Sequence, residues 1–309
     1  MNPIARRLLA VAAAATVTLG ACGRDGNDRS TVVGDLVSTN VPERYDGLAA
    51  SADSLVGAVD EWCASGEPGG DTASLDEGIA DVRDGWVALS PFWFGPVMDR
   101  RSRFVIDPTA RADDVAALVE AGDPVDAVAL RETVGADQRG LGALEVLADL
   151  ADDVRGRRIC SYALGNARLV AEEAAALAED WASFGPTLDD SEEVADDTLG
   201  EMVNQARFAL ATLMTDEEQD TATARLAGIR WALIGPPGPS TAPGDDDGSE
   251  TGIAVLLGDE VVEQLDAEFR SAETSIDDDT IDALLTTIET NVVSTLGLSI
   301  QFSDADGDG

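Results

Sequence analysis

Glu145 is the carboxylate within an otherwise apolar run, Gly140-Leu141-Gly142-Ala143-Leu144-Glu145-Val146-Leu147-Ala148, with Arg139 as the neighbouring charge. A carboxylate among Leu and Val is either the edge of a solvated stripe or a paired, functional group. The two glycines beside it each cost about 1 kcal/mol in a helix interior relative to Ala. Their presence implies that something approaches this backbone closely, which makes Glu145, Arg139 and Gly140 the candidate ligand-binding residues. A second oxygen-rich set closes the chain. Asp304, Asp306 and Asp308, followed by Gly309, have the opening spacing of a calcium loop. The distal bidentate Glu of such a loop is absent, so a metal ion there would need oxygens from elsewhere, and a solvated acidic terminus accounts for the same residues. The strongest basic cluster, Arg100, Arg101 and Arg103, would pair with buried acids or hold an anionic ligand.

What the chain lacks narrows the chemistry further. The 309 residues include 20 Arg, no Lys and no His against 60 Asp plus Glu, a formal charge of -40. Without His, neither a Ser-His nor a Cys-His pair exists, and a zinc centre of the His-rich catalytic type is excluded. A hydrolase built on carboxylates alone has no constellation to nominate, and the expectation is a protein that is not an enzyme. The charge repels nucleic acid and anionic lipid, whose binding needs Lys and Arg on phosphate. It suits solubility in salty or calcium-rich surroundings, or attraction of cations.

The N-terminus sets the compartment. Met1 to Arg7 is a short basic segment and Leu8 to Gly20 is apolar. That run is too short to span a bilayer, which takes about 20 residues. It reads as a secretory signal over residues 1–21 with a lipobox-like end, Leu19-Gly20-Ala21-Cys22. Cys22 would be the acylated first residue of the mature chain, tethering an extracytoplasmic body to the membrane, at the cell surface or in the periplasm. Two further cysteines, Cys63 and Cys160, are then left in an oxidising compartment. They are expected to form a disulfide, with two buried free thiols as the alternative.

The elements that must position these groups are helical throughout. Residues 22–40, rich in Gly, Asp, Ser and Thr, are expected to be a flexible tether. Tyr45, Leu48, Ala52, Leu55, Val59 and Trp62 recur at helical spacing, as do Leu75, Ile79, Val82, Trp86 and Leu89 up to Pro91. Ser90-Pro91-Phe92-Trp93-Phe94-Gly95-Pro96-Val97 cannot continue a helix. Its aromatics would plug the end of a bundle or form a ligand-stacking box. A short helix near 109–120, one over 126–149 carrying Glu145, and a nearly unbroken one over 157–181 follow. The acidic run Asp189 to Asp197 divides this half, residues 41–188, from a second half, residues 189–309. There, helices over 199–213 and 221–233 precede a loop from Ile234 to Asp247 rich in Pro and Asp, and helices over 252–273 and 277–296 complete the chain. Nowhere does the spacing settle to a period of two, so the fold class is all-α, two packed helical-bundle halves.

The run around Glu145 resembles the signature region of the imelysin-like proteins, exported bacterial helical proteins whose motif reads Gly-x-His-x-x-Glu. Gly140 and Glu145 match it, and Gly142 stands at the His position. Phe94-Gly95-Pro96 is similar to the family's phenylalanine-glycine-proline segment. Cys160 lies in what resembles the start of a long family helix, and Phe302 to Asp308 resembles the family's Phe-x-x-x-Asp-Gly-Asp ending. The resemblance runs from about residue 41 to the end. It implies two bundle-like halves with a site near their junction, and a part in uptake of iron or other metals at the cell envelope. Some members have been regarded as metallopeptidases, but Gly142 breaks the metal-ligand pair of that motif. The expected function is therefore a membrane-anchored, non-catalytic binding component linked to metal uptake. It would take an ion such as iron or calcium through an oxygen-lined site, or dock to an envelope transport protein. The alternative is a structural or protein-interaction module whose site has decayed, with a degenerate metallopeptidase third.

Overall fold

The computed structural model describes residues 29–64, 72–121, 126–150, 156–187, 191–213, 219–235 and 252–299. The signal segment, Cys22 and the aspartates Asp304, Asp306 and Asp308 lie outside them. Among the described residues there is no strand, and no helix is long and apolar enough to cross a membrane. The helices, in chain order, are α1 (Arg29–Asp35), α2 (Val41–Ala64), α3 (Ala73–Ala88), α4 (Pro96–Arg100), α5 (Ala112–Ala121), α6 (Ala127–Thr133), α7 (Gly140–Asp149), α8 (Gly156–Phe184), α9 (Glu192–Thr212), α10 (Gln219–Ile234), α11 (Ala254–Leu257), α12 (Asp259–Thr274), α13 (Asp278–Thr287) and α14 (Val293–Leu296).

The scaffold grows from one antiparallel pair. The buried stripe Tyr45, Leu48, Ala52, Leu55, Val59 and Trp62 of α2 meets Ile159, Ala163, Ala167, Val170, Ala174, Leu177 and Trp181 of α8, all fully or nearly fully buried. The alternating three- and four-residue steps keep each stripe on one face, and the alanines of α8 let the two axes approach. The pair is fastened at both ends. Cys63 and Cys160 form the expected disulfide, with Cα atoms 5.6 Å apart, and at the far end the rings of Tyr45 and Trp181 stack at 5.6 Å.

The second half shares this core. α10 packs on α3 so closely that a Cβ on Gly228 would fall 1.9 Å from the carbonyl oxygen of Ala88. Around that contact α10 buries Leu226, Ile229, Trp231 and Leu233 on all sides, as a central helix must. The aromatic segment plugs the bundle between the halves. Phe92 lies 5.5 Å from Trp231 and 6.5 Å from Trp181, and Trp86 stacks on Trp93 at 4.7 Å. Gly95, at φ +47°, seats its backbone against the ring of Phe184.

Three expectations about the elements are corrected. Residues 29–40 are not a tether. α1 runs through a π-helical turn, Leu36–Asn40, into α2, burying Val33, Leu36 and Val37, and Gly185 packs directly on Val37 and Ser38. The polar residues that mark this stretch as a linker occupy its outer face. The single helix expected over 126–149 is broken into α6, a 3-10 turn (Ala136–Gln138) and α7, and the one expected over 252–273 is interrupted at Gly258, φ +79°. Both breaks come at glycines held in left-handed backbone conformations that other residues rarely adopt.

Candidate functional site

The glycines of the motif are explained by the chain itself. Gly140 begins α7 at φ +78°, its N–H donating to Oδ1 of the buried Asn166 at 2.8 Å, while the N–H of Leu141 donates to the carbonyl of Ile106 at 2.8 Å. A Cβ on Gly140 would come 2.6 Å from that carbonyl oxygen, and one on Gly142 would come 2.9 Å from the carbonyl oxygen of Pro108. The segment from Val105 to Ala110 therefore lies along the glycine face of α7, and it is the close neighbour that the glycines accommodate.

Leu141, Leu144 and Leu147 point into the core, and Glu145 lies on the opposite, solvent-facing side of α7 with 48 % of its side chain exposed. It is both at the edge of the solvated stripe and paired. Nη1 of Arg83, on α3, donates to Glu145 Oε1, while Nε and Nη2 of the same guanidinium donate to the two oxygens of Asp107 at 3.0 and 3.1 Å. Arg83 is only 16 % exposed. Burial alone would lower its pKa, but the bonds to Asp107 and Glu145 outweigh burial and raise it. Arg83, Asp107, Thr109, Gly142, Glu145 and Val146 line an open cleft of about 320 Å³.

This arrangement does not fit a metal ion. Gly142 offers no side-chain donor atom, a Cβ there would meet Pro108 and Ala110, and Glu145 already accepts from a guanidinium. Among the described residues no group of three or more His, Cys, Asp or Glu is placed to hold a metal. Arg139 does not face Glu145 either. Its guanidinium donates to the carbonyls of Phe104, Leu130 and Arg131 at 2.9 to 3.1 Å, closing the end of α6 and fixing the turn before α7. Burial, and next the charge of Arg131, lower its pKa.

A second polar centre escapes a reading of the sequence. Glu173, 1 % exposed on α8, accepts from Nε and Nη2 of Arg100 at 2.9 and 3.1 Å, from Arg131 Nη1 at 2.6 Å and from Ser102 Oγ at 2.7 Å. Burial pushes its carboxyl pKa up, but the bonds from Arg100, Arg131 and Ser102 outweigh this and hold it below the usual range. Every lone-pair direction is occupied, so the group braces α4, α6 and α8 rather than offering a site. One signal for it existed in sequence: Asn166 and Glu173 are seven residues apart on the buried stripe of α8. Of the basic cluster, Arg100 thus pairs with a buried acid, Arg103 lies 5.0 Å over the ring of Trp93, and Arg101 is exposed at φ +57°.

Neither a protein-family model nor a curated protein matches the chain. Solved structures do. An imelysin-like protein from Psychrobacter arcticum 273-4 superposes with a TM-score of 0.71 at 17 % identity, over 89 % of this chain and 97 % of that one. A protein from Parabacteroides distasonis ATCC 8503, described as an iron-regulated protein A precursor, superposes with a TM-score of 0.61 at 13 % identity, over 87 % of this chain and 93 % of that one. With nearly the whole of each neighbour covered and the same all-helical architecture, the chain has the imelysin-like fold.

Proposed function

We propose that this protein is a lipid-anchored, extracytoplasmic and non-catalytic component of metal uptake at the bacterial envelope, one that works by docking to a transport partner. The observation that carries the reading is the state of the motif: Glu145 is engaged by Arg83, and the position of the family's His is a glycine covered by Pro108. At this motif Glu145 is held in an ion pair and Gly142 supplies no side-chain ligand beside it, which supports a non-catalytic role. The whole-length likeness to an imelysin-like protein and to a protein described as iron-regulated supports the setting, as does the lipobox-like Leu19-Gly20-Ala21-Cys22. The same pairing also favours a second reading, an interaction module with no link to metal.

Iron accumulation in a deletion strain separates the two. Loss of the gene should lower cell-associated iron under limitation. Complementation by the full chain or by Glu145→Gln should restore it, and Cys22→Ser, which cannot be acylated, should not. Unchanged iron accumulation in the deletion strain would remove the link to uptake and leave the interaction module. Restoration by Cys22→Ser would remove the anchor, and peptide hydrolysis lost in Glu145→Gln would overturn the non-catalytic assignment.

A further inference from the structure

The motif region holds two carboxylates from distant parts of the chain, Asp107 and Glu145, on opposite edges of one guanidinium. Two acids brought together need a cation between them, because like charges at such range repel and disfavour the folded state. In metal-dependent proteins that cation is an ion taken from solution, and the folded state then depends on its concentration. Here the cation is attached covalently to α3. It joins α3, the segment from Val105 to Ala110, and α7 through three hydrogen bonds, the same tying together that an ion with ligands on these elements would achieve.

We infer that Arg83 is a built-in replacement for a metal ion, holding Asp107 and Glu145 together so that the folded protein needs no metal at this site. The inference rests on reading the motif as ion-free and adds the residue that makes it so. The surrounding structure agrees. Arg83 is largely enclosed while Glu145 stays half exposed, so the cation is the fixed partner and Glu145 the one that reaches toward it. The space an imidazole at position 142 would need is filled by backbone, with the Pro108 carbonyl oxygen 2.9 Å and the Ala110 nitrogen 3.2 Å from a Cβ there. Restoring the motif by Gly142→His would thus require the Pro108–Ala110 segment to leave.

The test is thermal unfolding of the mature chain carrying Cys22→Ser, with and without Mn(II), Ca(II) or Fe(II) and with EDTA. The wild-type midpoint should not move with any of these, and Arg83→Lys, which keeps a positive charge, should behave the same way. Arg83→Gln should lower the midpoint and make it sensitive to metal: a divalent ion should restore several degrees, EDTA should abolish the gain, and adding Glu145→Gln should remove the response. Gly142→His should lose stability and gain no metal response. If Arg83→Gln does not fold, refolding from denaturant should be recovered by a divalent ion, and no recovery overturns the inference. A folded Arg83→Gln indifferent to every ion also overturns it while the ion-free reading stands. A wild-type midpoint that rises with metal and loses this in Glu145→Gln brings down both.

Discussion

Glu173 shows how much a single residue can carry without being a site. It is an almost fully buried carboxylate whose charge is met by Arg100 and Arg131 and whose remaining oxygen capacity is met by Ser102. Removing one partner of a buried ion pair costs about 3 to 5 kcal/mol because the other charge is left without compensation. The guanidiniums here reach solvent, so Glu173→Gln should fall at the lower end, about 3 kcal/mol, measured by denaturant unfolding at neutral pH. The pH dependence has a definite sign. The folded carboxyl titrates below the unfolded one, so its contribution is fully present above the ordinary Glu range and is lost as pH falls through the folded value. Stability measured from pH 7 down to pH 3 should therefore fall more steeply for the wild type than for Glu173→Gln. Equal slopes would mean that Glu173 is not among the groups being protonated. Legibility at this scale was uneven for a physical reason. Glu145 stood out because its sequence neighbours are apolar, whereas its partner Arg83 is 62 residues away and Asp107 lies in a loop, so nothing local pointed to either.

At the scale of elements, the existence of helices was legible and their interruptions were not. The stripe of α2 and the length of α8 follow from periodicity alone, since a helix that buries one face must repeat its apolar residues every three or four positions. The break before α7 is decided elsewhere, by Asn166 on α8 and the carbonyl of Ile106, which hold Gly140 and Leu141 in place. Likewise, α1 and the π-helical turn after it were hidden because their buried face amounts to Val33, Leu36 and Val37 in a polar stretch, and their helical state depends on packing of α1 against α9 and of the turn against α8. The contact between α3 and α10 gives a sharp check of such packing. Gly228→Ala should push the two helices apart, since the new Cβ meets the backbone of Ala88 and not a side chain that can turn away. Overpacking of this kind costs about 1 to 3 kcal/mol, or roughly 2 to 4 °C of midpoint for each kcal/mol in a chain of this size. Gly200→Ala, in α9 with nothing within 4 Å of its Cβ position, should instead be neutral or stabilise by about 0.5 to 1 kcal/mol. A similar gain for both substitutions would show that helix propensity, not the contact, sets the effect.

On the scale of the whole molecule, composition settled the broad class and the core settled how the halves join. A chain with 60 acids and 20 arginines carries far more negative charge than its ion pairs can answer, and its acids line the outer faces of helices. What opposes that repulsion is one apolar core, continuous from Val33 to Leu296 and sealed between the halves by Phe92, Trp181 and Trp231. The disulfide adds to this core from outside. It closes a loop of 97 residues between the end of α2 and the start of α8, the two helices on which the other elements assemble. In the chain-entropy account such a loop stabilises by up to about 4.7 kcal/mol, by limiting how far the unfolded chain can expand. In this protein mutual repulsion of the acids favours an expanded unfolded chain, so the cross-link restrains an ensemble that charge would otherwise swell. Reduction should accordingly leave helical content in place at 25 °C while lowering the denaturant midpoint. The loss should be largest at low ionic strength and smaller in 1 M salt, where the Debye length falls to about 3 Å and the repulsion is screened. Circular dichroism unfolding of oxidised and reduced protein at the two salt concentrations decides this. A loss independent of salt would show that charge repulsion in the unfolded chain adds nothing to the loop-closure entropy.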